Sequence, residues 1–285
     1  MSYQVLLFYK YITIENPDEL AAQFRVWAHT YQLLGRVLVA AEGINATLEG
    51  TTENTENFAR AFLQDVRFAD VQIKRSMSDG KSFPKLSVKV RNEIVGTHFP
   101  PHIDPRIKTA PHLSPEELKQ WYIEGKDFVV VDMRNNYEYA LGHFKGSINP
   151  EMEASRELPR VVEKLVPLKN KTVLTVCTGG IRCEKMSAYL LDQGFSDVHQ
   201  LDGGMHSYME KYPGEDFRGA LYTFDKRRAM DFGGEREIIG VCHLCGASTE
   251  NYVNCANNTC HLHFLACTTC VKDDKVYCKS DCSPQ

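Results

Sequence analysis

The 285-residue chain has no uninterrupted apolar run approaching the roughly 20 residues a membrane-spanning helix needs, so no segment of that kind is expected. Its first stretch, Met1-Ser2-Tyr3-Gln4-Val5-Leu6-Leu7-Phe8-Tyr9, has no basic segment before it and no small-residue cleavage site. It reads as a first strand rather than a signal peptide, and a cytoplasmic address is expected. A glycine fingerprint for dinucleotides is also missing, which argues against a flavin or nicotinamide site. Net charge is only −4, so bulk charge gives no reason for a nucleic-acid partner and leaves only a local patch to serve one. Of the ten cysteines, two lie in a central loop and eight between Cys242 and Cys282. A secreted disulfide scaffold would spread them through one small domain, so a reducing compartment is the better reading. There is no internal repeat and no low-complexity segment.

The length predicts two or three domains, and 43% hydrophobic with 25% charged residues fits a soluble protein. Strand-like Val5 to Tyr11, helical spacing from Leu20 to Leu34, and Arg36-Val37-Leu38-Val39-Ala40 open the chain. A second helical pattern, Thr55 to Val66, precedes two further strands, Val71 to Ser76 and Leu86 to Val90. The βαββαβ order predicts a ferredoxin-like α+β domain over 1–98. The Pro-rich stretch 99–114 predicts a linker. Ser114-Pro115-Glu116-Glu117 is a helix start and opens a domain over 115–218. Phe128 to Asp132 and Thr172 to Val176 are unbroken β-branched runs, as in an α/β domain with a parallel sheet covered on both faces. The second run delivers Cys177 at its C-terminal end, and Glu184 to Gln193 after it reads as a helix closed by Gly194. The zone 240–285 is too polar and cysteine-rich to close its own apolar core.

The loop Cys177-Thr178-Gly179-Gly180-Ile181-Arg182-Cys183 sets a thiol at the start of a tight turn entering a helix, with a guanidinium five positions on. Backbone N–H groups, the positive helix end and Arg182 favour thiolate over thiol and suit a bound persulfide or oxyanion. Gly179, Gly180 and Arg182 have no role if Cys177 is only a small buried residue. Cysteine phosphatases carry a loop one residue longer, so phosphatase activity is demoted. Cys183 at the far rim either resolves a persulfide or disulfide with Cys177 or is a buried thiol. Asp132, Arg134 and Glu138 follow a strand and either buttress the loop or form an ordinary ion-pair cluster.

Val130-Val131-Asp132-Met133-Arg134 through Gly142-His143-Phe144-Lys145-Gly146-Ser147-Ile148 resembles the rhodanese signature ahead of the active cysteine. Gln200-Leu201-Asp202-Gly203-Gly204-Met205 resembles that domain's closing motif. The resemblance implies a persulfide intermediate on Cys177. Ala41-Glu42-Gly43-Ile44-Asn45-Ala46-Thr47, the loop with Glu184-Lys185, and the terminal cysteine cluster together resemble the bacterial tRNA uridine hydroxylase family over nearly the whole chain. That resemblance implies oxygen-dependent formation of 5-hydroxyuridine at the wobble uridine of tRNA, with Cys177 essential and O2 as co-substrate. The electron donor stays open. A sulfur-centred redox step at Cys177 is the simpler guess beside the His102-Ile103-Asp104 spacing of an iron-binding triad.

For tRNA, Lys74, Arg75, Lys81, Lys85, Lys89 and Arg91 with Phe83 form a candidate basic patch, or only a solvated face. Glu42-Gly43-Ile44-Asn45 is a turn, read here as a binding loop. Two C-x-x-C knuckles, Cys242/Cys245 and Cys267/Cys270, lie 25 residues apart (242 to 267), and Cys255, Cys260, Cys278 and Cys282 supply four more thiols, with His261 and His263 as substitutes. They predict structural zinc, one ion or two, rather than four disulfides. Three functions remain in view: a tRNA-modifying enzyme, a sulfurtransferase using the same loop, and a non-catalytic binding or redox-sensing module, against which Cys177 and Arg182 count.

Overall fold

The computed structural model describes residues 2–260, 262–271 and 275–283. Strands β1 (Tyr3–Tyr11), β2 (Leu34–Ala40), β3 (Gly43–Thr51), β4 (Lys74–Ser78) and β5 (Leu86–Val90) form one sheet in the order β4-β1-β3-β2-β5. Helices α1 (Pro17–Thr30) and α2 (Thr52–Phe62) follow β1 and β3, which gives the expected βαββαβ order. The expected strand Leu86 to Val90 is β5, parallel to β2 at the sheet edge, whereas Gly43-Ile44-Asn45, read from sequence as part of a turn, opens the central strand β3. Helix α2 begins three residues before its apolar pattern because the Thr51 side chain accepts the Asn54 N–H at 3.2 Å. Val71 is spent in the core before β4 starts at Lys74.

The period-2 alternation sends one set of strand residues under the helices, among them Leu6, Phe8, Val37 and Val39, against Phe24, Phe58 and Phe62. The register then puts Leu7, Thr47, Arg36 and Ser87 in one row of the opposite face, and Tyr9, Asn45, Leu38 and Lys89 in the next. That face is turned to the rest of the molecule.

The Pro-rich stretch is packed rather than free. Phe99 stacks on Tyr189 at 4.7 Å, Ile103 is buried, and the Ala110 carbonyl accepts from Gln200 at 2.8 Å. It ends in β6 (His112–Leu113), which already belongs to the next sheet. There β7 (Val129–Asp132), β9 (Thr172–Val176) and β10 (Asp197–Leu201) are all parallel, in the order β6-β10-β9-β7. Val131 and Val173 pack into one apolar cluster and Val130, Leu174 and Val176 into another, so both faces are covered. Helices α3 (Pro115–Glu124), α4 (Asn136–Leu141), α5 (Leu158–Val161), α6 (Ile181–Asp192) and α7 (Gly204–Lys211) complete the layers, with short β8 (Gly142–Phe144) beside β11 (Phe217–Gly219). Ser114 and Glu117 close the expected capping box on α3.

The hairpin of β12 (Leu221–Tyr222) and β13 (Ala229–Met230) follows. A second, β14 (Tyr252–Asn254) with β15 (His263–Leu265), carries the cysteine-rich module. No described helix is long and apolar enough to cross a membrane.

Candidate active site

Cys177 leaves β9 at the sheet's C-terminal edge, fully buried, and α6 begins at Ile181, three residues earlier than its apolar pattern suggests. The turn between them is tight because Gly180 takes a φ of +101°. The Gly180 N–H lies 3.2 Å from the Cys177 sulfur. Burial alone raises the Cys177 pKa; the hydrogen bond from the Cys183 thiol, the charge of Arg182 and the backbone amides of Cys183 and Arg182 outweigh it and bring it down to about 5. Burial and the neighbouring thiolate push Cys183 the other way, well up. Of the two thiols, Cys177 is therefore the one whose ionised form the surroundings favour.

Arg182 is not aimed at the sulfur. Its guanidinium grips Glu138 with two bonds of 2.6 and 2.7 Å, and the Thr178 hydroxyl accepts from Arg182 at 3.2 Å while donating to Glu138 at 3.1 Å. Burial works against ionised Glu138, yet the Arg182 and Arg134 charges and the Asn135 N–H hold its pKa below the usual range. Asp132 and Arg134 form a separate, fully buried pair at 2.7 Å, and Arg134 also donates to the Gly142 carbonyl at 2.5 Å. This cluster ties the end of β7 to β8 and stands behind the loop. From the other side Gly203 and Gly204, both at positive φ, let α7 close in: a Cβ on Gly204 would lie 2.6 Å from the Cys177 carbonyl oxygen and the Gly180 nitrogen.

Above Cys177 lies a cavity of about 330 Å³. One wall is the open face of the N-terminal sheet, with Leu7, Tyr9, Leu38 and Thr47; the opposite wall is the loop itself; Phe224 and Arg227 of the 221–230 hairpin close a third side. The sequence reading assigned nothing to 219–239, although its Phe-Asp-Lys-Arg-Arg run was the available signal. Arg227 crosses to the N-terminal domain, donating to Ser76 at 2.8 Å, and the Arg182 guanidinium lies 5.6 Å from the Phe224 ring. His206 on α7 also lines the cavity and was likewise missed.

The Glu42-Gly43 turn docks the two domains. Glu42 and Glu93 receive Lys185 of α6 at 2.8 and 3.0 Å. Tyr9 donates to Glu184 at 3.1 Å, and Glu184 also meets His112 and Gln200 at 3.0 Å. Burial, then the Glu184 carboxylate, keeps Tyr9 protonated by raising its pKa.

The expected basic patch is split. Lys74 is buried between the domains with the Tyr9 ring 5.7 Å away, and Arg75 is held by Glu56 at 2.7 Å. Lys81 and Lys85 are exposed on a loop whose Ser82 and Phe83 N–H groups bind buried Glu49. Lys89 and Arg91 lie at the other edge of the sheet, and Arg36, absent from the expected set, shares the open face with Lys89. His102 and Asp104 diverge: His102 sits 3.4 Å from Asp192, and Asp104 binds Arg106.

The cysteines sort into two interleaved sets: Cys242, Cys245, Cys267 and Cys270, then Cys255, Cys260, Cys278 and Cys282. Within each, all sulfurs lie within 4.8 Å of one another, and Cys245–Cys267, Cys260–Cys278 and Cys278–Cys282 are 3.6 Å apart. Four thiolates at a Zn–S length of about 2.3 Å make edges of roughly 3.8 Å, so both sets could hold zinc. His263 is occupied by Tyr222 and Asn254 at 3.1 and 2.8 Å and is not a substitute; His261 lies outside the described residues.

Against known proteins, residues 3–94 match the UPF0176 acylphosphatase like domain, 114–211 the rhodanese-like domain and 218–283 the rhodanase C-terminal family. Proteins named tRNA uridine(34) hydroxylase are similar over most of their length. The one from Bacillus velezensis is 43% identical over 270 residues, covering 93% of this chain and 83% of that one. Those from Staphylococcus haemolyticus and Cytophaga hutchinsonii are each 40% identical, covering 99% and 98% of this chain and 89% of theirs. At that identity and coverage, the chain belongs to the tRNA uridine(34) hydroxylase family.

Proposed function

We propose that this protein hydroxylates C5 of the wobble uridine, U34, of tRNA in an oxygen-dependent reaction, with Cys177 as the reacting sulfur. The observation that carries the reading is Cys177 in the lining of a cavity of about 330 Å³, whose other walls come from the domains on either side of the rhodanese domain. In the overall change C5–H becomes C5–OH, while dioxygen takes up two electrons and two protons from an external donor and leaves one water. Arg182, Gly179 and Gly180 shape the loop; Glu138 fixes Arg182; Asp132 and Arg134 brace the strand behind it. Cys183 keeps Cys177 ionised.

For the tRNA backbone, Arg36 and Lys89 on the open sheet face, with Lys81 and Lys85 on the adjoining loop, lead from the β5 edge toward the cavity. Lys74 acts between the domains and Arg75 is neutralised by Glu56. Counter-ion release at such cations makes binding salt-dependent. The two cysteine sets hold structural zinc, since all four positions of each are filled by protein sulfur. The working domain limits are 1–98, 115–218 and 240–285, and the address is the cytoplasm.

The test is nucleoside mass spectrometry of tRNA from cells lacking the protein, complemented with wild type or Cys177→Ser. 5-Hydroxyuridine derivatives should return with wild type alone. Return with Cys177→Ser removes the sulfur from the mechanism. A second reading, sulfur transfer through a Cys177 persulfide, draws on the ring of loop amides about the sulfur; fast thiosulfate-to-cyanide turnover with unaltered tRNA is the result that favours it.

A further inference from the structure

Among the described residues His206 is the one imidazole lining the cavity that holds Cys177, and neither the loop nor the buried ion pairs use it. It follows the Gly203-Gly204 turn, and its N–H donates to the Thr178 carbonyl at 3.0 Å, which fixes it relative to the loop. The residue is 3% exposed, its ring stands edge-on to Phe232 at 5.1 Å, and its Nδ1 has no hydrogen-bond partner. The nearest carboxylate, Glu210 one helical turn on, is 4.0 Å away, beyond hydrogen-bond reach. The residue nevertheless belongs to the same cavity lining as Cys177, so a group that enters the cavity meets both. Burial, with the Lys74 and Arg227 charges nearby, pushes the imidazole down to about 4, so it stands as a free base beside a thiolate.

Uracil has a matching demand. Its C6 is electrophilic through conjugation with the C4 carbonyl, and a thiolate that adds there sends the C5–C6 π pair toward O4, making C5 the nucleophilic carbon. Whatever then bonds to C5, restoring the ring requires a base to take the hydrogen originally on C5 while the C6–S bond breaks and the thiolate leaves.

We propose that His206 is that base, and that the Cys177–His206 pair therefore exchanges the C5 hydrogen of U34 with solvent even without oxygen. This rests on the uridine reading of the cavity. In deuterated water the sequence balances without any oxidant: Cys177 sulfur adds to C6, a solvent deuteron adds to C5, His206 removes the protium from C5, the C5–C6 double bond re-forms, and the thiolate is released.

The experiment incubates the full-length protein anaerobically in D2O with a U34-containing tRNA transcript and reads deuterium in uridine by mass spectrometry, with rates divided by alkylatable Cys177 so that misfolded molecules do not count. Wild type should exchange. His206→Ala and His206→Asn should lose roughly 100-fold or more, the scale of general acid–base catalysis, with tRNA affinity retained, and imidazole in the medium should restore the Ala variant. Exchange by both variants within about threefold of wild type removes His206 from the role. Wild-type hydroxylation under oxygen without anaerobic exchange overturns the C6 addition. Absence of exchange by wild type, together with 5-hydroxyuridine unchanged in tRNA from cells lacking the protein, overturns the uridine reading itself.

Discussion

At Cys177 the opposing influences are unequal in a way that can be measured. Burial would keep the thiol protonated, and the Cys183 hydrogen bond is the largest effect against it. Iodoacetamide alkylation of Cys177 should therefore rise through about pH 5 and be flat from there, where a free thiol rises near about 8.5. A hydrogen bond to a charged group contributes about 1.5–3 kcal/mol, so Cys183→Ala should move the inflection up by about one to two pH units. Cys183→Ser keeps a donor and should move it less. An unchanged inflection in the Ala variant assigns the depression to Arg182 and the loop amides instead. The sequence offered two roles for Cys183, a resolving thiol and a buried one; which it takes depends on where the side chain points from the first turn of α6.

At the scale of elements, what could be read from sequence was what neighbouring residues decide. The β-branched run of β9, the glycine turn and the apolar spacing of α6 are consecutive, so the strand-loop-helix around Cys177 was legible. Closure of the loop by α7, from the side opposite the ion pairs, was not, because it depends on two backbones meeting across 27 residues (177 to 204). Gly204→Ala probes that meeting: its φ of +67° and a Cβ 2.6 Å from two backbone atoms leave no relaxed side chain. It should cost more than the about 1–2 kcal/mol of a left-handed residue alone, read as a lowered denaturation midpoint, and should slow Cys177 alkylation. A midpoint equal to wild type means α7 shifts away freely. The basic patch is divided for a related reason: Lys74 and Lys89 look close in sequence, yet their strands are opposite edges of a five-stranded sheet.

In the whole molecule three units converge on one cavity, and the cysteine module reaches it indirectly. The Tyr252 hydroxyl donates to the Tyr137 carbonyl, one residue before Glu138, and Tyr137, Tyr222 and Tyr252 pack with His263. Metal analysis should find two zinc ions per chain. Chelation should unfold the module and slacken Glu138, with Tm falling and Cys177 alkylation moving to higher pH as Arg182 loses its anchor. One ion per chain would contradict the interleaved sets. The two C-x-x-C knuckles already pointed to one set of four in the sequence, but one ion or two stayed open there, since the ligands alternate in pairs along the chain and bonds such as His243 N–H to the Leu265 carbonyl and Ala256 N–H to the Val276 carbonyl bring the pairs together.

The complete burial of Cys177 has a consequence for the RNA. A uridine stacked in a helix cannot touch a sulfur at the floor of a walled cavity; the nucleotide has to be swung out of its stack first, at a cost of a few kcal/mol that is smallest where no partner strand holds it. If Cys177 is the reacting sulfur, as proposed, depth selects for conformation before any base edge is read: uridines in stems should be refused, and those of an open loop such as the anticodon admitted.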